Sequence, residues 1–418
     1  MAELIPFKGV LYSESQLSKL SGEDLLSPPY DIITPEYQEE LYNKSPFNIV
    51  RVDFGKEFPE DNISTNKYTR AREHLYRWLN EQVLTISDEP CFYSYEISYS
   101  IKDKEEKLKG FLGLVKLEEL GKGNIYPHEC TYSKPKKDRL DLMKICEANI
   151  SPIFGLYNSN EGQITAILSG ISKNRPYMEA NDFNGSVHRL WKIDKREEIN
   201  TIRKEIENKS LFIADGHHRY ETALEFQNEM REKEGLSGSK KPYDYVLMFL
   251  ANIQDKGLTV LPTHILVNNM PSDSLNRLSF HFEITENKNN FNIADAISGK
   301  KHVFGLYKGN DVWYSLHYKG EDLPGIQDVL KNLDVNIIHR LIFEKLLTIN
   351  NIAYEMDINK CLQRVREKEF EAAFFLNPTR VEDVENVALA SLRMPPKSTY
   401  FYPKLLTGLV LNIFKYTF

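Results

Sequence analysis

The sequence predicts a mixed α/β protein with more than one domain. Its 418 residues, 41% of them hydrophobic, can form sizeable cores, and a chain of this length divides into two or three domains. Segments that alternate apolar and polar residues indicate strands, and apolar residues at helical spacing indicate helices. Because the two kinds of segment follow one another along the chain, we expect an N-terminal α/β region at about 1–90, a core at about 91–270 and a C-terminal α/β region at about 271–418.

The predicted elements follow in chain order. "TNKYTRAREHLYRWLNEQ" has the pattern of a helix, and the strands "CFYSYEISYS" and "KGFLGLVKL" are joined by the charged "IKDKEEK" as a hairpin. "SPIFGLY" predicts a buried strand, and "YVLMFLANI" with "LTVLPTHILV" predicts an antiparallel pair. In the last third, "AAFFL" predicts a strand, and "DVNIIHRLIFEKLL" and "RVEDVENVALAS" predict helices.

Charge and composition exclude several classes of protein. The net charge of -7 gives no overall attraction to nucleic acid, so we expect none as a partner. The start "MAELIPFKGVLY" lacks the apolar core of a signal peptide, and no run approaches the roughly 20 apolar residues of a membrane span. The four cysteines form no C-x-x-C pair, which argues against a zinc ribbon. We expect a cytoplasmic protein without a membrane partner.

The stretch "LFIADGHHRYETAL" predicts a strand, a tight turn and a helix. Gly216 lies where the chain must turn sharply, and Asp215, His217, His218 and Arg219 come to the helix N-terminus. Such a terminus favours phosphate, and an arginine adds donors for it. The alternative is that Asp215 caps the helix and the histidines are surface residues. Four polar groups within five residues favour a phosphate-binding site over a simple helix cap.

Two further motifs carry candidate residues. In "YPHECTYSKPKKDRL", Glu129 precedes a basic helix, and an ionised carboxylate there could accept a hydroxyl proton or hold a metal. An exposed ion-pair cluster explains that motif equally well. In "MPPKSTYFYPKLLTG", the segment Lys397, Ser398 and Thr399 places an ammonium and two hydroxyls on a stiff loop, which suits an anion. The alternative there is a structural loop.

A fourth motif, "SPPYDII", places Tyr30 and Asp31 beside two prolines. Proline fixes the backbone on one side of such a pair, so the motif predicts a rigid structural turn rather than a site.

Five blocks of the chain together resemble one known family. They are "SPPYDII", "PHECTYSKPKKDRL" with "NISPIFGLY", "IADGHHRYETAL", "LDVNIIHRLIFEKLL" and "RMPPKSTYFYPKLLTGLV". On these motifs the chain is identified as a member of the domain-of-unknown-function 1015 family. That family is similar to the ParB and sulfiredoxin superfamily, which implies a nucleotide-binding α/β core with N-terminal and C-terminal α/β additions.

The resemblance also implies chemistry. Sulfiredoxin has its catalytic cysteine where this chain has His217, which argues against sulfiredoxin chemistry. Free L-serine kinases of the superfamily resemble this chain in a "DGHHR"-like turn and use a glutamate as base. The resemblance therefore implies a kinase that transfers a phosphoryl group from ATP or ADP to a small hydroxyl substrate, with L-serine giving O-phosphoserine.

The same resemblance assigns roles. The expected catalytic residues are Glu129 as base with Asp215, His217 and His218, and Asp215 is expected to help hold Mg²⁺. Donor phosphates are expected at Gly216, His218 and Arg219, and substrate at Lys397, Ser398 and Thr399. The sequence allows a homodimer and does not choose between ATP and ADP.

Two other functions remain open. One is a ParB-like regulator that binds nucleotide without kinase activity. The other is a metal-dependent phosphohydrolase that uses His128, His217 and His218.

Overall fold

The chain forms two compact units. The computed structural model describes residues 2–418 except 102, 132, 236–239, 289–291, 310–311 and 321–324, and it describes only the backbone of 133 and 134. The first unit comprises Met1–Pro127, Thr131–Thr259 and Pro403–Phe418, and the second comprises His128–Cys130 and Val260–Tyr402. The three-part division expected from the sequence stays a prediction.

The strands are short at both ends of the chain and longest in its first third. In chain order they are β1 (Leu4–Ile5), β2 (Val10–Tyr12), β3 (Leu84–Ile86), β4 (Phe92–Ile101), β5 (Lys104–Lys116), β6 (Ile125–Tyr126), β7 (Ala148–Asn149), β8 (Ile153–Tyr157), β9 (Met178–Asn181), β10 (Val187–Ile193), β11 (Leu211–Asp215), β12 (Tyr245–Asn252), β13 (Thr259–Leu261), β14 (His264–Val267), β15 (Phe282–Lys288), β16 (Val303–Tyr307), β17 (Val312–Tyr318), β18 (Ile352–Glu355), β19 (Ala372–Phe375), β20 (Tyr400–Tyr402) and β21 (Asn412–Ile413).

The helices alternate with these strands. They are α1 (Glu14–Leu17), α2 (Gly22–Leu25), α3 (Pro35–Lys44), α4 (Val50–Asp53), α5 (Lys67–Asn80), α6 (Ser133–Cys146), α7 (Gln163–Ile171), α8 (Arg196–Glu207), α9 (His217–Glu234), α10 (Ser274–Ser279), α11 (Ile293–Ile297), α12 (Asp328–Lys331), α13 (Asp334–Asn336), α14 (Ile358–Arg366) and α15 (Val381–Leu389), with a π-helix at Ile337–Leu347. The α/β fold class is therefore confirmed.

A nine-stranded sheet forms the centre of the first unit. Its order is β6-β11-β8-β12-β5-β4-β10-β9, and β1 also pairs with β5. Strand β12 is buried from Tyr245 to Ala251 and pairs antiparallel with β5 and parallel with β8. A strand that is paired on both edges and covered on both faces needs a continuous apolar run, which "YVLMFLA" supplies.

A six-stranded antiparallel sheet forms the centre of the second unit. Its order is β15-β17-β16-β19-β14-β18. Strand β14 pairs with β18 and β19, so the predicted hairpin of "YVLMFLANI" and "LTVLPTHILV" is wrong. Both segments look like strands locally, but they belong to different sheets. The pattern of one strand does not identify its partner.

The other local predictions compare well with the structure. The helix predicted around Lys67–Asn80 is confirmed, and Asn66 caps it by accepting hydrogen bonds from the backbone N–H groups of Tyr68 and Thr69. The hairpin of β4 and β5 is confirmed, but both strands run on into "IKDKEEK", where Ile101 pairs with Lys104. Lys102 lies outside the described residues. In the described part of the chain, no helix is long and apolar enough to cross a membrane.

Candidate functional site

The strand–turn–helix predicted from "LFIADGHHRYETAL" is present in the first unit. Strand β11 ends at Asp215, Gly216 is the N-cap residue, and α9 begins at His217. Strand β11 lies between β6 and β8, and its register with β8 shifts between Ile213 and Asp215. The irregularity lies directly before the predicted site residues, and Asp215 still pairs with Phe154 after it.

Gly216 has two separate reasons to be glycine. Its φ of 96° and ψ of 26° lie in the left-handed region, which side chains other than glycine rarely adopt. A Cβ atom at this position would also lie 2.9 Å from Nε and 3.1 Å from Cζ of Arg219. The turn therefore brings the guanidinium against its own backbone.

Arg219 points into the protein rather than out into solvent. It is 9% exposed, and its guanidinium donates to the carbonyl of Pro152 and, at 3.1 Å, to Oδ2 of Asp215. Lys404 Nζ lies 3.6 Å from the other carboxylate oxygen of Asp215. Two cations thus hold Asp215, and the predicted phosphate-binding arginine also stabilises the turn.

The two histidines differ in exposure. His217 is buried at 7% exposure, and His218 is half-buried. Because Gly216 has no side chain, it cannot cap the first turn of α9 as a serine or aspartate would. The N-terminus of α9 has the general chemistry of a phosphate-binding helix N-terminus, which combines N–H donors with a partial positive charge.

In the second unit the structure brings together two of the predicted motifs. Oε1 of Glu129 accepts from the backbone N–H of Thr399 at 2.8 Å and from its hydroxyl at 2.7 Å. Oε2 accepts from the backbone N–H of Lys397 at 3.3 Å. The predicted base and the predicted substrate loop are therefore hydrogen-bonded, although 268 residues separate Glu129 from Lys397.

The backbone supports this arrangement. Glu129 forms a parallel bridge with Met394, whose N–H donates to the carbonyl of His128 at 2.7 Å. The His128 ring is fully buried, with Nε2 2.9 Å from the hydroxyl of Thr399. Since that hydroxyl donates to Glu129, the ring donates to it in turn. His128, Thr399 and Glu129 therefore form one hydrogen-bonded chain.

The three residues of the predicted substrate loop have different surroundings. Lys397 is exposed and has a φ of 61°, a left-handed conformation. Ser398 is 4% exposed, and its hydroxyl donates to the carbonyl of Pro395 at 2.6 Å. The structure thus gives Ser398 a structural contact, and its role in binding substrate stays a prediction.

A family model described as "Protein of unknown function (DUF1015)" matches residues 4–336. The chain belongs to the DUF1015 family. No curated protein matches the chain significantly. The family predicted from the motifs is confirmed, and the relation to the ParB and sulfiredoxin superfamily stays a prediction.

Several solved structures are similar to this DUF1015 protein, with low scores. A conserved hypothetical protein from Pyrococcus furiosus is 14% identical, with a TM-score of 0.34, covering 68% of this chain and 92% of its own. A free serine kinase in complex with AMP is 12% identical, with a TM-score of 0.36, covering 70% and 98%. SbnI with C-terminal truncation from Staphylococcus aureus is 10% identical, with a TM-score of 0.38, covering 72% and 87%.

Sequence reasoning missed a buried charged cluster in this DUF1015 protein. Arg139 is 6% exposed, donates to Asp53 Oδ1 at 2.9 Å and stacks 4.1 Å above the ring of Tyr30. Burial raises the pKa of Tyr30 to about 12, although Arg139 acts against it. "SPPYDII" predicted only a turn, and Arg139 counted only as part of a basic helix. No local signal shows that "VRVDFG" buries its aspartate.

The metal prediction concerns Asp215. Within the ranges that the structure describes, no three His, Cys, Asp or Glu side chains lie close enough to hold a metal. Mg²⁺ commonly takes only one or two protein carboxylates and completes its shell with phosphates and water. Asp215 therefore fits as a single ligand, in competition with Arg219 and Lys404.

Proposed function

We propose that the protein is a small-molecule kinase that transfers the terminal phosphoryl group of ATP or ADP to a hydroxyl substrate. L-Serine is the first acceptor to test. The proposal rests on the motif resemblance to free L-serine kinases, and one observation carries it. The carboxylate of Glu129 is hydrogen-bonded to the loop 397–399, so the residue expected to act as base lies in contact with the segment expected to hold the acceptor.

In this proposal Glu129 takes the proton of the acceptor. The hydroxyl oxygen forms a bond to the terminal phosphorus, its proton moves to a Glu129 oxygen, and the phosphorus–oxygen bond to the nucleotide breaks. The nucleotide leaves with the bonding electrons. The three donors from Lys397 and Thr399 fix the carboxylate in one orientation, which supports general base catalysis because that step depends on geometry first.

The turn would bind the donor. In phosphoryl transfer the protein mainly positions the groups and neutralises charge. The N-terminus of α9 supplies N–H donors beyond Gly216, and Arg219 adds positive charge close to them. His217 and His218 would stabilise charge on the transferred group.

Asp215 would hold Mg²⁺ together with the nucleotide phosphates. The ion would supply Lewis-acid neutralisation of the charge that develops on them. Lys404 and Arg219 orient the Asp215 carboxylate.

The first test is phosphorus NMR of the purified protein with Mg²⁺ and either ATP or ADP, each with and without L-serine. We expect a phosphoserine signal that requires the acceptor. Inorganic phosphate that appears equally without serine would support a phosphohydrolase instead. Nucleotide that binds but stays intact would support the ParB-like regulator, and either result refutes the serine kinase.

The second test separates a base from a loop-holding residue. Glu129→Gln should reduce turnover by about 10²–10⁴-fold. The matched control is Glu205→Gln, because the buried Glu205, like Glu129, accepts from a hydroxyl and from a backbone N–H. The hydroxyl is that of Ser159 at 2.7 Å, and the N–H is that of Ile164 at 3.1 Å. We expect that control to keep its activity.

Thr399→Val completes this comparison. It removes the hydroxyl that donates to Glu129 and leaves the carboxylate in place. A Thr399→Val loss as large as that of Glu129→Gln would mean that Glu129 serves only to hold the loop. We expect a smaller loss, expressed in KM more than in kcat.

A further inference from the structure

A small cavity lies against Arg219 of the "DGHHR" turn, within the first unit. Its volume is about 30 Å³, and its polar lining includes Asp53, Arg139, Arg219 and Thr222. A single water molecule needs at least about 10–15 Å³ of such space. The cavity therefore has room for one or two water molecules and is too small for a nucleotide or an amino acid.

Two buried atoms on this lining have no hydrogen-bond partner among the described residues. They are Oδ2 of Asp53, in a residue 2% exposed, and Nε of Arg219, in a residue 9% exposed. One is an acceptor and the other a donor. Buried groups of this kind are almost always satisfied by protein or by ordered water, because leaving them unpaired costs stability.

The chemistry of the lining selects the occupant. An anion would face the carboxylate of Asp53, and a cation would face the guanidinium groups of Arg139 and Arg219. Water can accept from Nε of Arg219 and donate to Oδ2 of Asp53. Of these three occupants, only water suits both unpaired atoms.

We propose that this cavity is a resident water site and that Asp53 is a positioning residue for Arg219. Arg139 holds one oxygen of Asp53, and the water connects the other to Arg219. Arg219 in turn packs against Gly216 and binds Asp215. The short helix α4, which ends at Asp53, thereby sets the geometry of the turn. The catalytic consequence rests on the proposed function, whereas the water site does not.

The water site is tested on the wild-type protein by NMR. The Nε–H resonance of Arg219 is assigned by its absence in Arg219→Lys, and cross-relaxation with water is then measured. We expect a cross-peak between this Nε–H and water, with the sign that is typical of a long-lived bound water. In Asp53→Asn the water loses its acceptor, and the cross-peak should weaken or vanish. A wild-type Nε–H without such a cross-peak overturns the site, whatever the activity of the protein.

The positioning role is tested against a matched aspartate, Asp244, which binds another arginine of α9. Asp244 is 3% exposed and binds Arg231, which follows Arg219 by 12 residues on α9, or about 18 Å along its axis. We expect Asp53→Asn to weaken ADP binding about tenfold and Asp244→Asn to leave it within about twofold. Equal affinities in the two variants overturn the positioning role. If the wild type binds no nucleotide, the proposed function and this role both fail, and the NMR result still decides the water site.

Discussion

Gly216→Ala tests the contact between the turn and Arg219. The added methyl group meets a φ of 96° and the guanidinium at 2.9–3.1 Å. The left-handed conformation costs a non-glycine residue about 1–2 kcal/mol. Displacing Arg219 also weakens its hydrogen bonds to Pro152 and Asp215, and hydrogen bonds to charged groups contribute about 1.5–3 kcal/mol each. We therefore expect the free energy of unfolding to fall by about 2.5–5 kcal/mol if one such bond is lost.

Gly162→Ala provides the matched control. Gly162 is also the N-cap of a helix, α7, with a φ of 74°, but its Cβ would meet nothing within 4 Å. Gly162→Ala should lower the free energy of unfolding only by the cost of the left-handed backbone conformation, about 1–2 kcal/mol. Thermal unfolding measures the loss in each variant, since a loss of 1 kcal/mol lowers the melting temperature of a large domain by about 2 °C. If the two variants lower the melting temperature of the first unit equally, Arg219 does not constrain the turn, and the reasoning is refuted.

Two further predictions concern titration and thiol reactivity. Burial raises the pKa of Asp138, but Arg139 and Lys67 outweigh it and lower the value to about 2. Ionised Asp138 therefore stabilises the folded state at pH values above its unfolded pKa of about 3.9, and this contribution is lost as pH falls towards 2. In Asp138→Asn the melting temperature should depend less on pH between those two values. A pH dependence equal to that of the wild type would contradict the pairing of Asp138 with Arg139 and Lys67. Cys130 is the exposed cysteine, whereas Cys91, Cys146 and Cys361 are buried. Ellman's reagent at pH 8 should modify one thiol per chain rapidly, and a second rapid thiol would contradict the burial.

Local sequence pattern predicted what is local in this fold. The strand, the glycine turn and the helix of "LFIADGHHRYETAL" depend on neighbours within 14 residues, and each was recognisable. The partners of β12 and β14 were not, because any exposed strand edge offers the same backbone groups. The choice among them depends on packing of the whole sheet.

The candidate site shows the same division. Glu129 and the loop 397–399 could be selected separately from their residue types, but their hydrogen bonds follow from the pairing of Glu129 with Met394 across the second unit. Asp53 could not be selected at all, since an aspartate in "VRVDFG" usually lies on the surface of a helix. Its burial becomes intelligible only when Arg139 is placed beside it.

The contacts of Arg219 change the interpretation of the "DGHHR" motif. Both terminal nitrogens of its guanidinium already bind the protein, at Pro152 and at Asp215. A guanidinium has five N–H donors, so each terminal nitrogen keeps a second N–H for phosphate while the contacts to Pro152 and Asp215 remain. Because Arg219 also packs against Gly216, its charge lies beside the N-terminus of α9. Arg219 can therefore keep both protein contacts and still neutralise phosphate charge, while the backbone N–H groups at the start of α9 supply further hydrogen bonds to phosphate.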